Sequence, residues 1–387
     1  MGKIKKAFNI LFGSEVIGDI SSKNSISTFH NNNSIGDIDI TQNYTKSNKG
    51  YYLGVDGLYP QTLNHLYNTS PLQNNIINFK KLLTSGNGYS IQGNVKDGME
   101  KVELNQMLTQ FDKVIPQITM DLFIHNRFAL KITWNEDNTR WLRVEALPVD
   151  SVRILKLNKK VIPLEYVYNF DWEQSTKTDT ITYKAYNKND IENKEQIYMH
   201  QEVSPGMKIY TYPSYQSATK WITLDGKMAT YHTSNIENSL NPSMLIQFLE
   251  EPETEEKKQE ILYGLNKTYS GENKAGRLMV TFSNGDDVKP IITQMEANKL
   301  DKTFLELTDT IQRQICYSHS IDPLLLGLKT PGSLGNSGDF EYTYNLFNNK
   351  TIIPAQKTLE DILNELIYEN GMRIKIKFND VNLEQNK

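Results

Sequence analysis

The chain has 387 residues, of which 38% are hydrophobic and 10% aromatic, so it can bury a substantial core and form two or more compact units. Its 42 Lys and Arg residues against 46 Asp and Glu residues give a net charge of -4, which excludes the basic excess of proteins that grip nucleic acid tightly. The single cysteine, Cys316, excludes an internal disulfide framework and favours a reducing cytoplasm or a particle assembled there. No apolar run reaches the about 18 to 20 residues that cross a bilayer, so we expect a soluble protein without a membrane partner.

Residues 1–50 are predicted to form a mobile N-terminal arm. Its first twelve residues space apolar side chains at helical intervals between lysines, which favours a docking helix over a short helix on a membrane surface. The N-myristoylation pattern requires Ser or Thr at position 6, where this chain has Lys6. Residues 18–50 are rich in Ser, Asn, Thr, Asp and Gly, a composition that buries too little apolar area to offset its ordering entropy.

Residues 51–212 are predicted to form an α+β unit that begins with two helices in series. The helices divide at Ser70 and Pro71, because Ser70 is a good N-cap and Pro71 suits a first helical turn. Gly86 and Gly88 end the second helix. The lysine and hydroxyl of a phosphate-binding loop are absent there, so the glycines predict no nucleotide site.

The rest of this unit is predicted to be one helix followed by strands. The helix covers residues 104–123, and alternating apolar runs at 128–134 and 141–147 predict a hairpin, with further strands up to residue 200. His125 is expected in the core, because no second histidine or carboxylate recurs at the spacing of a metal site.

Two long helices with a small insert between them are predicted next, at residues 213–234 and 293–320. The first helix is predicted despite Gly226 in its middle. The insert, residues 235–292, has the pattern of a small α/β unit. Thr254 there caps a helix with an acidic first turn, which is either a solvated helix start or a docking face for a basic partner. The charged residues of this run are Glu250, Glu251, Glu253, Glu255, Glu256, Lys257 and Lys258.

The second long helix carries an apolar stripe at alternating spacings of four and three, the seam of a coiled-coil-like contact. The stripe consists of Leu300, Phe304, Leu307, Ile311 and Ile315. Such a stripe packs either within its own fold or against another copy. Cys316 and His319 lie three residues apart, but without an orienting third group or an oxyanion pocket they predict no catalytic site. No metal or cofactor site is predicted either.

Residues 321–338 are predicted to form a long loop after Pro323 ends the second helix, and loops of this kind are usually functional. Residues 339–387 are predicted to form a helix bent at Pro354, followed by a strand at 373–378.

The order of these parts resembles the portal proteins of tailed bacteriophages of the HK97 type. The likeness rests on Asn-Thr-Ser-Pro-Leu at 68–72, Leu-Pro-Val-Asp-Ser-Val at 147–152, the strand-helix-strand insert, and Ile-Asp-Pro-Leu-Leu-Leu-Gly at 321–327 before the helix with Pro354. No single motif is specific, but their succession is. The long arm departs from the resemblance, and the absence of a basic tail or large helical crown leaves a small crown or none.

The resemblance implies a ring, usually of twelve subunits, at one vertex of a capsid, through which double-stranded DNA is packaged and ejected. It makes residues 51–212 and 339–387 an α/β wing, the long helices a helical stem, and residues 235–292 a small α/β clip. The clip would dock the terminase large subunit and then the head-tail adaptor, and the major capsid protein or a scaffold would be a further partner. The protein would be assembled in the host cytoplasm and reside in the virion. The tunnel loop implied for the channel comprises Lys329, Thr330, Gly332, Ser333, Leu334, Gly335, Asn336, Ser337 and Gly338.

Two other classes stay open from the residues alone. One is a capsid-associated scaffold or adaptor that encloses no channel. The other is an enzyme such as a nuclease or glycosidase, which would need a constellation of carboxylates or histidines at strand ends; the sequence shows none, so no enzyme is predicted.

Overall fold

A computed structural model describes residues 49–380, apart from 55, 95–97, 138, 174–179, 191, 207, 239–241, 249–253, 270–276, 283–290, 295–299 and 329–336. All of these residues belong to one compact unit, Ile38–Lys387. The predictions for the arm up to residue 48 therefore lie outside the described residues.

The chain enters this unit through the two predicted helices, α1 at Tyr59–Thr69 and α2 at Pro71–Ser85. Ser70 separates them, and its Oγ accepts a hydrogen bond of 3.1 Å from the backbone N–H of Gln73, as an N-cap should. Apolar residues of both helices, such as Leu63 and Ile76, are buried in a core that also contains residues of the long helices.

A long helix and several strands follow where the sequence predicted them, and six of the strands form a single sheet. Helix α3 covers Met99–His125 and packs on the hairpin of β2, Arg127–Trp134, and β3, Trp141–Leu147. The remaining strands are β4 at Val152–Leu157, β5 at Pro163–Tyr168, β6 at Ile181–Ala185 and β7 at Glu195–Gln201. The sheet order is β3-β2-β7-β6-β5-β4, with antiparallel neighbours except for the parallel pair β6 and β7. His125 is buried, as expected, and its Nε2 lies 3.0 Å from Asn64 Oδ1.

The first strand and the last described strand pair in a second, two-stranded sheet. Strand β1, Tyr89–Gln92, pairs antiparallel with the last described strand, β11 at Lys375–Phe378, so that Tyr89 faces Phe378. A second buried core joins α3, the β2–β3 hairpin, β11 and the helix before it.

The middle of the chain forms the predicted pair of long helices and the insert. Helix α4 covers Thr219–Asn238, after a short 3₁₀ turn, and contacts α1 and the second long helix. The insert contains β8 at Pro242–Phe248, helix α5 at Glu255–Tyr269, β9 at Arg277–Phe282 and β10 at Ile291–Gln294, in sheet order β10-β8-β9. Strand β10 was not predicted, because its four residues are too short for a periodic signal.

The second long helix, α6, covers Leu300–Ser318, and a nearly continuous helical stretch follows from Ser337 to Glu369. Ser337 and Gly338 therefore begin helix α7, Ser337–Phe347, and do not lie in the preceding loop as predicted. A π-helical segment, Asn348–Ile352, joins α7 to α8, Ile353–Glu369. Pro354 sits in the first turn of α8, and because it has no N–H to donate backwards, the wider π turn ahead of it replaces the simple bend that we predicted.

Candidate functional site

We call the described residues before α4 and after α6 the body of the subunit. The carboxylate of Asp225 connects α4 to this body at the start of α2. Asp225 Oδ2 accepts a hydrogen bond of 2.6 Å from Ser70 Oγ and another of 3.2 Å from the backbone N–H of Leu72. The backbone N–H of Leu72 is one of the groups that a helix leaves unpaired at its N-terminus. Asp225 therefore completes the cap of α2 from a neighbouring helix and holds α4 against the start of α2.

The close packing of α4 on α1 explains why residue 226, next to Asp225, is a glycine. A Cβ at this position would lie 3.2 Å from the backbone oxygen and from Oγ1 of Thr69, the last residue of α1. The glycine costs helix stability, roughly 1 kcal/mol relative to Ala, but it allows α4 to approach α1 closely enough for Asp225 to reach Ser70.

The apolar stripe of α6 is only partly internal to the fold. Ile311 and Ile315 are 1% and 0% exposed, and they share a core with Ile222 of α4. Leu307, one turn further from the body, is 37% exposed. The side chains of Leu300 and Phe304 lie outside the described part of the chain. The stripe thus packs inside the subunit at its body end and leaves apolar surface uncovered further out.

Helix α6 ends in a Schellman motif ahead of Pro323, where we had predicted the end. The N–H of Ile321 bonds to the carbonyl of Cys316, and the N–H of Ser320 bonds to that of Tyr317. Ser320 adopts the positive φ of 53° that this motif requires. Asp322 then caps a 3₁₀ turn, Pro323–Leu326, through the N–H of Leu324 at 2.8 Å. Two caps in succession define how the chain leaves α6 toward residues 329–336, which are not described.

A buried polar chain connects α2 to the end of α6. Lys80 Nζ lies 3.0 Å from His319 Nδ1, and His319 Nε2 lies 2.6 Å from Gln73 Oε1. Because the amide oxygen accepts only, His319 carries its proton on Nε2, and Nδ1 accepts from Lys80. The ring of Tyr215 stacks on His319 at a centroid distance of 4.8 Å, and the Tyr215 hydroxyl donates to Ile124 O at 2.7 Å.

The protonation states of Cys316 and His319 in this buried environment oppose nucleophilic catalysis by the two residues. Burial raises the pKa of the Cys316 thiol to about 12, so the thiol stays protonated. Burial, and secondarily the charge of Lys80, hold the pKa of His319 well below its ordinary value. Within the described residues, no group of three or more His, Cys, Asp or Glu side chains is placed to hold a metal ion. None of the described helices combines the length and apolar character needed to cross a bilayer.

The insert presents part of the predicted acidic run on the first turn of α5. Thr254 Oγ1 accepts a hydrogen bond of 3.4 Å from the N–H of Lys257, which supports Thr254 as the predicted cap. Glu256 and Lys257 are exposed and Lys258 is half-buried. Glu255 begins the helix, whereas Glu250, Glu251 and Glu253 lie outside the described residues. The described part of the run is thus largely exposed at the start of α5, and both interpretations, a solvated helix start and a docking face for a basic partner, stay predictions.

Comparison with known proteins decides which family combines these parts. The family model described as "Phage portal protein" matches residues 99–386, about three quarters of the chain. The chain belongs to the phage portal protein family. The resemblance inferred from the sequence is therefore confirmed, and portal proteins stand at a vertex of the viral capsid. This family is one of structural proteins.

Solved structures of similar fold match the chain at low sequence identity. The chain is similar to a chain in the neck of an empty gene transfer agent (GTA) particle, with 13% identity, a TM-score of 0.60, and 84% of this chain and 85% of that chain covered. A chain of the native particle neck, computed with twelvefold symmetry, matches at 14% identity and a TM-score of 0.57, with the coverage at 84% and 85%. An HK97 family portal protein from Corynebacterium diphtheriae matches at 9% identity and a TM-score of 0.44, covering 82% of this chain and 95% of that one. No curated protein matches.

The sequence predicted the helices and strands of these regions but missed the residues that join the long helices to the body. Of the predicted tunnel loop, Lys329 to Asn336 are not described, and Ser337 and Gly338 begin α7. Asp225, Lys80 and His319, which connect the long helices to the body, have no signal in the sequence, because each occupies a position in a helix where a charged residue normally faces water.

Replacing Lys80 with Met should make the stability of the portal subunit less dependent on pH. Burial lowers the pKa of Lys80 from 10.5 to about 7. Between these two values the unfolded chain binds a proton that the folded chain does not, so the wild type gains stability as the pH rises. We expect the stability of the wild type relative to Lys80→Met to increase by about 2 kcal/mol from about pH 7 to about pH 9.

Thermal unfolding of both proteins across this range measures the effect, with Lys81→Met as the control on the same helix. Equal pH slopes in wild type and Lys80→Met would show that Lys80 is normally charged in the folded chain.

Proposed function

We propose that this chain assembles into a ring, most simply of twelve copies, whose central channel passes double-stranded DNA during packaging and ejection. The observation that carries this proposal is the arrangement of the two long helices. Helices α4 and α6 contact each other, are anchored at one end to a helix and sheet body, and carry a small α/β insert between them. This is the order of wing, stem and clip, and it follows the fold of chains from a particle neck computed with twelvefold symmetry.

The charge of the chain suits a channel through which DNA must slide. A net charge of -4 per copy, repeated around a ring, gives a wall without the basic excess that would hold phosphates. We assign the channel constriction to the segment from Lys329 to Gly338. Its small residues suit a surface that must yield to a moving duplex, although its last two residues belong to α7.

We assign the clip to the docking of the terminase large subunit during packaging and of the head-tail adaptor afterwards. The acidic start of α5 supports this assignment, because Glu256 is exposed at a helix end beyond the stem. The major capsid protein or a scaffold would contact the wing.

The mass of the purified protein in solution tests the ring, followed by negative-stain imaging of the heaviest species. We expect a particle of about twelve copies of the 44.5 kDa chain with a central hole. A monomer or dimer at high concentration, persisting when the capsid protein and scaffold are co-expressed, would instead favour an adaptor or scaffold that encloses no channel.

A further inference from the structure

A cleft of about 840 Å³ opens where the long helices meet the body. Its walls are formed by the end of α3, residues 202–205 after β7, residues 212–217 before α4, the end of α6, and residues 350–358 around the start of α8. Clefts of about 300 to 1,000 Å³ are the size that accepts side chains or small ligands. A DNA duplex is too thick a rod to reach the floor of a cleft this small.

Lys80 lines this cleft as a deeply buried amine. It is 3% exposed, its Nζ donates to His319 Nδ1, and it lies 5.5 Å from the centroid of the Phe123 ring. A lysine ammonium has three N–H donors, and the hydrogen bond to His319 uses one of them. His319 carries no negative charge in either of its protonation states, so it supplies no counter-charge when Lys80 is protonated. Within the described residues, no carboxylate forms an ion pair with Lys80.

The other charged and titratable groups around the cleft do not neutralise Lys80. Glu202 is the acidic residue of the lining, and its Oε1 already accepts from Thr358 Oγ1 at 3.2 Å and lies 3.1 Å from His200 Nε2. Lys350, on the wall near α8, adds a second positive charge. Tyr215 stacks on His319, and its hydroxyl is used by Ile124. The cleft is therefore a basic pocket in an acidic chain.

We infer that this cleft receives an acidic side chain of a neighbouring copy of the chain, whose carboxylate bonds Lys80. The inference rests on the proposed ring. In a ring, each copy must present one surface to the copy on its left and a complementary surface to the copy on its right. Lys80 lies deep in the cleft, and the lining also includes Val203, which is 91% exposed, and Pro205. A buried polar group surrounded by apolar contact residues is typical of a pocket at a protein–protein interface.

The protonation of Lys80 supports this inference and predicts a pH dependence of ring formation. In the empty cleft the pKa of Lys80 is about 7, because burial disfavours the ammonium. An arriving carboxylate favours the charged form and raises that pKa. Each contact formed above about pH 7 therefore takes up a proton, and ring formation should weaken by up to about tenfold per contact for each pH unit above it.

The test compares ring formation by wild type, Lys80→Met and Lys81→Met, using sedimentation over a range of protein concentrations. Lys81 neighbours Lys80 on α2 and is not part of the cleft lining, so Lys81→Met is the matched control. At about pH 7 we expect Lys80→Met to need at least about ten times more protein to form rings, with Lys81→Met matching the wild type. Sodium acetate, compared with sodium chloride at equal ionic strength, should weaken wild-type rings by occupying the cleft.

The pH dependence of the wild type provides the second measurement and does not depend on the folding of any variant. Wild-type rings should weaken from about pH 7 to about pH 9. Normal rings in Lys80→Met, or wild-type rings insensitive to both pH and acetate, would overturn the inference while leaving the proposed ring intact. Absence of rings in the wild type, with its capsid partners present, would overturn the ring and the inference together.

Discussion

Replacing Ile315 with Ala is expected to lower the free energy of unfolding by about 2 to 5 kcal/mol, because the change leaves a cavity at a fully buried position. Ile315 is 0% exposed and lies where α6 joins the core shared with α4 and the body. The loss should appear in chemical denaturation at protein concentrations too low for assembly, so that only the subunit is measured.

Leu307 on the same helix provides the control. Because Leu307 is 37% exposed, Leu307→Ala should change the stability of the subunit by less than about 1 kcal/mol. If the outer part of the stripe packs between copies, Leu307→Ala should still reduce ring formation. Equal destabilisation of the subunit by both changes would mean that the whole stripe packs inside one subunit.

Replacing Asp225 with Ala should have the second large effect, a loss of about 2 to 4 kcal/mol in subunit stability. The change removes the acceptor of the Ser70 hydroxyl and of the Leu72 N–H, and it leaves both donors at the interface of α2 and α4 without their partner. Because Asp225 fixes α4 against the body, we also expect fewer closed rings at temperatures where the subunit is still folded.

Two variants separate the hydrogen bonds from the charge. Asp225→Asn retains an acceptor oxygen and should lose less than Asp225→Ala. Ser70→Ala removes the acceptor of the Gln73 N–H as well as one hydrogen bond to Asp225. It should lower the stability of the subunit by about 1 to 2 kcal/mol. Wild-type stability in Asp225→Ala would show that water replaces the carboxylate at no cost and that α4 is held by apolar packing alone.

The elements that the sequence predicted well are those with a local physical cause. Ser70 followed by Pro71 marks a helix boundary by itself, and the alternation in 128–134 and 141–147 requires only the two-residue period of a strand. The family resemblance then gave the arrangement of these elements, because the succession of several weak motifs is specific even though each motif is common.

The errors and omissions depend on contacts that are distant in sequence. In the sequence, Gly226 has the pattern of a helix breaker, and only the structure shows that it contacts Thr69. Lys80, next to Lys81, has the pattern of a surface residue, and only the structure shows its hydrogen bond to His319. Ser337 and Gly338 were assigned to the loop because both are weak helix formers, but they form the first turn of α7, where the acidic Asp339 suits a helix N-terminus. Pairs such as Ser70 and Asp225, more than 150 positions apart, cannot be recognised in one sequence.

The pairing of β1 with β11 has a consequence for synthesis of the protein. Tyr89 faces Phe378, so the body cannot complete its second core until residues 375–378 have left the ribosome, whereas the long helices and the insert between them emerge earlier. Contacts this distant in sequence slow folding, and domains fold as their segments become available. A nascent chain that has not yet exposed residues 375–378 therefore lacks a finished body, and this order of folding delays self-association until those residues have paired with β1.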